Sequence, residues 1–332
     1  MDIFRNSLQT SPCRNATRSE QLLTISVLQV NWLSDPIAHK AQLETGIAAA
    51  ADAGAEIVFL PELTLSRYPA DTLPIGRADQ LAETLHDGPT HRFAAAMAAR
   101  YDIHVHASLY ELSGAADGRG LNTAIVVAPS GDCIAHTRKL HIPVTAGYYE
   151  DHYFEPGAAD TPYPVHRLAL DSGELALGLP TCWDEWFPEV ARSYGLGGAA
   201  LLAYPTAIGS EPDYPNFDTE PLLRQVIVGH AITNGLFIAV PNRFGAEGQL
   251  QFYGSSFIVD PFGRILVSAP RDRAALLVAD IDLGQREDWL TLFPFFSTRR
   301  PDSYGALVAP IDNPRGEDGQ GVNGGIPGIS AS

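Results

Sequence analysis

The chain has 332 residues, of which 45% are hydrophobic and 18% are charged, and its formal net charge is −17 at pH 7. This composition is ordinary for a globular enzyme and excludes a largely disordered chain. The acidic balance argues against a nucleic-acid partner, because phosphate backbones are bound by clustered Lys and Arg side chains.

Cysteine spacing and hydropathy indicate the cellular location of the protein. The three cysteines, Cys13, Cys133 and Cys182, show no paired spacing, which argues against a zinc site or a disulfide framework and favours a reducing, cytoplasmic location. The N-terminal stretch lacks the continuous apolar segment of a signal peptide. No run of about 18 apolar residues occurs, so the sequence predicts neither a membrane-spanning helix nor a membrane partner.

The chain divides by composition into a folded centre and two polar ends. Residues 1–20 are predicted to form a mobile N-terminal tail, and 309–332, rich in Gly, Ser, Asn and Pro, a flexible C-terminal tail. Residues 21–308 carry the alternating apolar and helical patterns of a single folded domain.

Within that domain the predicted elements follow one another in two similar sets. The first set comprises strand 22–30, helix 36–53, strand 56–62, helix 89–101 and strands 102–112, 122–129 and 132–140. The second comprises strand 174–182, helix 186–197, strand 199–205, helix 219–234 and strands 235–242, 253–261, 263–270 and 274–282. Two sets of strands, each with its helices, predict a four-layer α-β-β-α sandwich. A doubly wound three-layer sheet is the alternative that periodicity does not exclude.

Cys182 lies in GLPTCWDEWFPE, where a predicted strand gives way to a helix. This is the edge at which α/β proteins usually bind ligands. If the following amides begin a helix, their N–H groups would favour a thiolate and an oxyanion there. The alternative is a buried core sulfur, because free cysteine is among the most buried residue types.

A nucleophilic cysteine needs a base, and none of the ten histidines carries a supporting pattern. Glu62, in FLPEL, ends an apolar strand and follows a proline, so its side chain is expected to enter a cleft. A desolvated carboxylate acquires a raised pKa and removes a thiol proton near neutral pH. Lys139, in HTRKLHIP, also follows a strand, and an ammonium placed there stabilises the oxyanion of acyl transfer.

Three segments taken in this order resemble the Glu-Lys-Cys signature of the nitrilase, or carbon-nitrogen hydrolase, superfamily. They are FLPEL with Glu62, RKLHIP with Lys139 and CWDEWFPE with Cys182. Further segments, among them GYYEDHYFEPG, AYPTAIGSEP and FYGSSFIVDPFG, extend the likeness over about residues 22 to 305. Within the superfamily, these segments are most similar to those of the N-carbamoylputrescine amidases.

The resemblance implies the four-layer sandwich and a thiol mechanism that uses no metal or organic cofactor. Glu62 would be the general base and Cys182 the nucleophile, and Lys139 with the backbone N–H of Trp183 would stabilise the oxyanion. Glu150, in GYYED, matches a second glutamate that orients the lysine in this branch. The family also implies a homodimer or a larger homo-oligomer.

Residues near the signature are candidates for substrate binding. A substrate carboxylate usually requires an arginine clamp, and the family's N-carbamoyl-D-amino acid hydrolases carry two arginines where this chain has Glu185 and Trp186. Tyr149, Glu185 and Glu211 would better suit an amine tail through charge pairing or cation–π contact. The expected substrate is a ureido compound with a cationic or neutral tail, N-carbamoylputrescine foremost.

Several alternatives remain open at this point. Arg192 and Arg243 would supply a carboxylate clamp from other elements, which keeps β-ureidopropionase or another amidase or nitrilase as the runner-up. A catalytically silent binding protein on the same fold is an alternative of another class. A dinucleotide-binding oxidoreductase lacks the expected G-x-G-x-x-G motif. Pro180 departs from the family pattern, because proline removes a backbone donor from what is expected to be a central strand.

Overall fold

The computed structural model describes residues 1–309. The chain divides into two compact units, Met1–Phe295 and Phe296–Ser332. The first unit holds the helices and strands given below. In the second unit the described residues form two short 3-10 turns, Pro301–Ser303 and Gly305–Val308. Apart from Ala309, the C-terminal tail predicted at 309–332 lies outside the described residues.

The strands and helices of the first unit are numbered in chain order. The strands are β1 (Asp2–Asn6), β2 (Leu22–Gln29), β3 (Ile57–Phe59), β4 (His104–Glu111), β5 (Leu121–Val127), β6 (Cys133–Arg138), β7 (Val165–Leu170), β8 (Gly173–Gly178), β9 (Leu201–Ala203), β10 (Phe237–Val240), β11 (Phe244–Glu247), β12 (Leu250–Tyr253), β13 (Phe257–Val259), β14 (Ile265–Ser268) and β15 (Ala275–Asp282). The helices are α1 (Pro36–Asp52), α2 (Pro89–Tyr101), α3 (Pro188–Leu196), α4 (Glu220–Asn234) and α5 (Gln285–Leu292).

Two large sheets organise these strands. One sheet has the order β1-β15-β2-β3-β4-β5-β6, the other has the order β14-β13-β10-β9-β8-β7, and β11 pairs with β12 in a separate ribbon. The centre of the first sheet is parallel, from β2 through β3 to β4. The centre of the second sheet is also parallel, from β8 through β9 to β10. Residues that follow parallel strands lie at a common edge, where α/β proteins place ligands.

Alternating side chains show how the layers stack. Ile25 and Val27 of β2 share one buried cluster with Leu177 of β8, so the two sheets pack face to face. Leu28 points to the opposite side and packs in a second cluster with residues of α1 and α2. A third cluster joins the other face of the second sheet, including Leu202, to α3 and α4. The predicted α-β-β-α sandwich is therefore confirmed.

Helix starts follow local sequence signals. Asp35 caps α1 by accepting the N–H of Ile37 at 2.9 Å, and Pro36 occupies the first turn. Pro188 likewise lies in the first turn of α3. Because proline lacks an N–H group and is favoured at a helix start, α3 begins there rather than at residue 186 as predicted.

The N-terminal segment differs from its prediction as a mobile tail over residues 1–20. Strand β1 pairs in parallel with β15 along the edge of the first sheet. Arg18 donates to Asp282 at 2.7 Å and to Asp288 at 2.6 Å, and all three side chains are buried. Both partners lie more than 260 residues away in sequence, so no local pattern reveals that this polar segment covers a sheet edge and neutralises two carboxylates.

The concern over Pro180 is resolved by where the neighbouring strand ends. Strand β8 ends at Gly178, so Pro180 lies beyond the strand and removes no ladder hydrogen bond.

The sequence patterns also missed several elements, namely β1, β7, β11, β12 and α5. Within residues 1–309, no helix combines the length and the apolar character that crossing a membrane requires.

Candidate active site

Glu62 lies in the loop that follows β3, and its side chain is fully buried. The next residue, Leu63, has a left-handed backbone with φ of 49°. The guanidinium of Arg243 holds this turn, because its Nη2 donates to the carbonyl oxygens of Glu62 at 2.6 Å and Leu63 at 3.1 Å. Nη1 of Arg243 donates to Glu247 at 2.7 Å. Arg243 is therefore a buried support for Glu62.

Lys139 directly follows β6 and connects two buried carboxylates. Its Nζ donates to Glu62 Oε1 at 3.0 Å and to Glu150 Oε2 at 2.6 Å. Burial alone would lower the pKa of Lys139, but the negative charges of Glu150 and Glu62 raise it well above its usual value. The ammonium therefore stays charged in a fully buried position.

Glu150 begins a 3-10 turn, Glu150–His152, and is also held by a tyrosine. The hydroxyl of Tyr68 donates to Glu150 Oε1 at 2.8 Å. Burial raises the pKa of Glu150 to about 7, although the nearby Lys139 ammonium opposes this rise. Asn122 completes the set by donating to Glu62 Oε1 at 2.7 Å. Tyr68 and Asn122 were not among the residues predicted from the sequence; the polar residue that opens the apolar run NTAIVVAP was the one available signal for Asn122.

Cys182 opens the 3-10 turn Cys182–Trp186 in the loop that follows β8. Its backbone is left-handed, with φ of 44°, a conformation that costs energy for a side chain with a Cβ. Its N–H donates to the carbonyl oxygen of Pro205 at 3.0 Å. Asp184 fixes the start of the turn by accepting the N–H of Thr181 at 3.0 Å. These bonds hold the thiol-bearing residue in its strained geometry.

The thiol of Cys182 is 6% exposed and lies among charged groups. Burial raises its pKa well above the usual value, Glu62 raises it further, and the Lys139 ammonium lowers it. Among the described residues, Glu62 Oε2 has no hydrogen-bond partner, whereas Oε1 accepts from both Asn122 and Lys139. Oε2 is therefore the atom available to accept the thiol proton.

Donors for a developing negative charge also surround the sulfur. The N–H of Cys182 bonds to Pro205 and that of Asp184 bonds to Thr181. In the part of the chain that the structure describes, the intervening N–H of Trp183 has no hydrogen-bond acceptor. This free amide and the Lys139 ammonium are the groups that an oxyanion formed at Cys182 would meet.

A cleft leads to the sulfur. Its walls come from three loops, with Pro143, Thr145, Tyr148, Glu150, Cys182, Trp183, Ala207, Ile208 and Glu211 as lining residues. The hydroxyl of Tyr148 accepts the N–H of Gly209 at 3.0 Å and donates to the carbonyl oxygen of Ser210 at 3.1 Å. Tyr148 therefore holds in place the loop that carries Glu211.

The residues expected to bind substrate do not all line the cleft. Glu211 lines the cleft, whereas the lining on the GYYED segment comes from Tyr148 rather than Tyr149. Glu185 is fully buried and does not line the cleft. Trp186 packs against the apolar cluster beneath α3 and α4.

Comparisons with known proteins show the family to which the chain belongs. A model of the carbon-nitrogen hydrolase family matches residues 24–290. The chain is 33% identical over 290 residues to a citrullinase of Francisella tularensis. The aligned region covers 86% of this chain and 98% of that protein. The chain is also 33% identical over 301 residues to an N-carbamoylputrescine amidase of Arabidopsis thaliana, which covers 88% of this chain and 97% of that protein.

Solved structures give the same picture. A carbon-nitrogen hydrolase of Helicobacter pylori superposes with a TM-score of 0.76 at 30% identity, over 87% of this chain and 99% of that one. A mutant amidase of Nesterenkonia sp., in which acrylamide has added to the active-site cysteine, superposes with a TM-score of 0.63 at 25% identity. That match covers 82% of this chain and 98% of the amidase.

Proposed function

The chain belongs to the carbon-nitrogen hydrolase family and is a hydrolase of linear amide bonds, and from that premise we propose that its substrate is an N-carbamoyl amine, N-carbamoylputrescine foremost. The observation that carries the thiol mechanism is the hydrogen-bond set around Lys139. This set occupies one oxygen of Glu62 and leaves Oε2 free beside the Cys182 thiol. A carboxylate, a thiol and an ammonium thus lie close together beside the cleft, which supports the roles of base, nucleophile and oxyanion donor.

The reaction would begin when Glu62 takes the thiol proton and the Cys182 sulfur attacks the ureido carbon. The oxyanion would face the Lys139 ammonium and the Trp183 N–H, two donors of the kind that stabilise tetrahedral intermediates. Glu62 would return the proton to the leaving nitrogen, and ammonia would depart. A thiocarbamate ester between Cys182 and the carbamoyl carbon would remain.

Water would then complete the turnover. Glu62, again ionised, would accept a proton from water as its oxygen attacks the thiocarbamate carbon, and the sulfur would leave as the restored thiol. The released carbamic acid decomposes to the free amine and carbon dioxide. In sum, one ureido compound and one water give one amine, one ammonia and one carbon dioxide.

The cleft supports a substrate with an amine tail. Among the described residues that line it, the acidic ones are Glu211 and Glu150, which is paired with Lys139, and no side chain is an arginine or a lysine. Burial raises the pKa of Glu211, and a bound ammonium would favour its ionised form. Arg243, considered above as a carboxylate clamp, is bound to Glu247 and to the Glu62 loop. A substrate carboxylate would therefore meet no cationic side chain on the cleft wall.

A substrate panel tests this proposal. We expect ammonia release from N-carbamoylputrescine with a kcat/KM at least about tenfold higher than from N-butylurea, which has the same four-carbon chain but no terminal amine, because a charged hydrogen bond contributes about 1.5–3 kcal/mol. Glu211→Gln should remove this preference and leave turnover of N-butylurea nearly unchanged. The panel includes citrulline, since a citrullinase is among the relatives, and β-ureidopropionate. A higher kcat/KM for either compound would refute the choice of an amine tail.

A further inference from the structure

Glu185 is a buried carboxyl group that the proposed reaction does not use. It lies on the same 3-10 turn as Cys182, and its side chain is fully buried. Its Oε2 lies 3.2 Å from the hydroxyl oxygen of Thr206. Its Oε1 has no hydrogen-bond partner among the described residues. No ammonium or guanidinium group among them forms an ion pair with Glu185, unlike Glu62 and Glu150.

The hydrogen bonds of Thr206 determine the protonation of this carboxyl group. The Thr206 hydroxyl carries one hydrogen and lies 2.8 Å from the carbonyl oxygen of Tyr204, which accepts hydrogen bonds but never donates. The hydroxyl hydrogen is therefore directed to Tyr204. The remaining contact, between the Thr206 oxygen and Glu185 Oε2, is a hydrogen bond only if the hydrogen lies on Glu185. A carboxylic acid at Glu185 satisfies both contacts of the hydroxyl, whereas a carboxylate would compete with the Tyr204 carbonyl for its one hydrogen.

The surrounding charges favour the same state. Burial raises the pKa of Glu185 well above its usual value and Glu62 raises it further, whereas the Lys139 ammonium opposes this rise. An ionised Glu185 would add a third buried carboxylate to Glu62 and Glu150 around one ammonium. The titratable groups close enough to interact with Glu185 are Glu62, Lys139, Cys182, Asp184, Tyr204 and Tyr253.

We infer that Glu185 is a positioning residue that works as a neutral carboxylic acid and, by ionising, sets an upper pH limit on the reactivity of Cys182. Its O–H bond to Thr206 joins the nucleophile turn to the segment Tyr204–Thr206, next to the bond from Cys182 N–H to Pro205. When Glu185 ionises, this donor is lost and a negative charge appears beside the thiol, which disfavours the thiolate. This role differs from the pairing with a substrate amine that the sequence suggested.

The inference rests on the proposed thiol chemistry, but its test does not depend on the substrate. The rate of Cys182 alkylation by iodoacetamide is measured between pH 6 and 10 by mass spectrometry of the modified peptide, which separates Cys182 from Cys13 and Cys133. Two variants are compared with the parent enzyme. Glu185→Gln keeps a neutral donor for Thr206, and Glu185→Leu removes it.

Glu185→Gln retains a neutral donor and is expected to keep the alkylation rate within about threefold of the parent at pH 7. Glu185→Leu loses this donor, and its alkylation rate should fall about tenfold. At alkaline pH the parent rate should fall below that of Glu185→Gln. An infrared difference spectrum between the parent and Glu185→Gln should show the carbonyl stretch of a protonated carboxyl group at pH 7. Melting temperatures of both variants establish that they are folded.

Two results would overturn the inference. One is a difference spectrum at pH 7 that shows an ionised carboxylate in place of the protonated band. The other is a Glu185→Gln variant as slow as Glu185→Leu, with a pH profile parallel to that of the parent. If instead alkylation behaves as expected but no ureido compound is hydrolysed, the proposed substrate fails and the role of Glu185 stands.

Discussion

Replacing Tyr148 by phenylalanine tests whether the Glu211 loop is held by a single hydroxyl group. That hydroxyl accepts the N–H of Gly209 at 3.0 Å and donates to the carbonyl of Ser210 at 3.1 Å. Each neutral hydrogen bond contributes about 1 kcal/mol, so Tyr148→Phe should cost the loop about 2 kcal/mol. Ser210 stays bonded to Gln251 through its N–H at 2.9 Å and its hydroxyl at 3.0 Å. The loop should therefore loosen without detaching.

The expected result is a KM for N-carbamoylputrescine that rises about tenfold, with kcat within about twofold, because substrate binding is weakened and the reacting groups are untouched. A coupled assay for ammonia measures both constants. Tyr110→Phe is the matched control, since its hydroxyl also donates to a backbone carbonyl, that of Tyr153 at 2.9 Å, within the same apolar cluster. That variant should lose about 1 kcal/mol of stability, for its one hydrogen bond, at unchanged KM. An unchanged KM in Tyr148→Phe, or a fall confined to kcat, would refute the reasoning.

Three further substitutions test other parts of the structure. Cys182→Ser should lower kcat at least about 1,000-fold, because an alcohol is a far weaker nucleophile than a thiolate; retained turnover would disprove the thiol mechanism. Glu62→Gln should lower kcat at least about 100-fold and slow iodoacetamide alkylation in parallel, because it removes the base; fast alkylation would assign the base elsewhere. Arg18→Ala should lower the free energy of unfolding by about 2 kcal/mol at pH 7, because it leaves two carboxylates without their cation. Burial opposes ionisation of Asp288, but Arg18 lowers its pKa to about 2, so this stabilisation is complete above pH ~4 and is lost as the pH falls through about 2. Thermal melts of parent and variant should therefore converge in acid, and a constant gap down to pH 2 would contradict the assignment.

Periodicity predicted two sets of strands with their helices, and the family resemblance favoured the four-layer sandwich over a three-layer sheet. Strand β2 and helix α2 fall within two residues of their predicted bounds, since strong apolar patterns and a starting Pro89 define them. Strand β3 is shorter than predicted, ending at Phe59, because the chain must turn before Pro61 to bring Glu62 to Lys139 and Asn122. Local patterns predict the type of an element better than its ends.

Short sequence motifs predicted part of the site. The motifs indicated Glu62, Lys139 and Cys182, but Tyr68 and Asn122 contact these carboxylates from other loops and carry no local signature. The choice of Tyr149 over Tyr148 shows a further limit. Adjacent residues point to different sides of an irregular loop, and no periodicity predicts which one faces the cleft.

The raised pKa of the Cys182 thiol is compatible with its proposed role as nucleophile. The proton moves from sulfur to Glu62, so one buried anion replaces another and the net charge around Lys139 does not change. Burial penalises the creation of charge, but it penalises the transfer of charge between two buried atoms far less. The relevant equilibrium belongs to the thiol and the carboxylate as a pair, not to the thiol against bulk water. Lys139 is hydrogen-bonded to Glu62 and lowers the pKa of the thiol. Once Glu62 has taken the proton and is neutral, the Lys139 ammonium therefore favours the negative charge on sulfur.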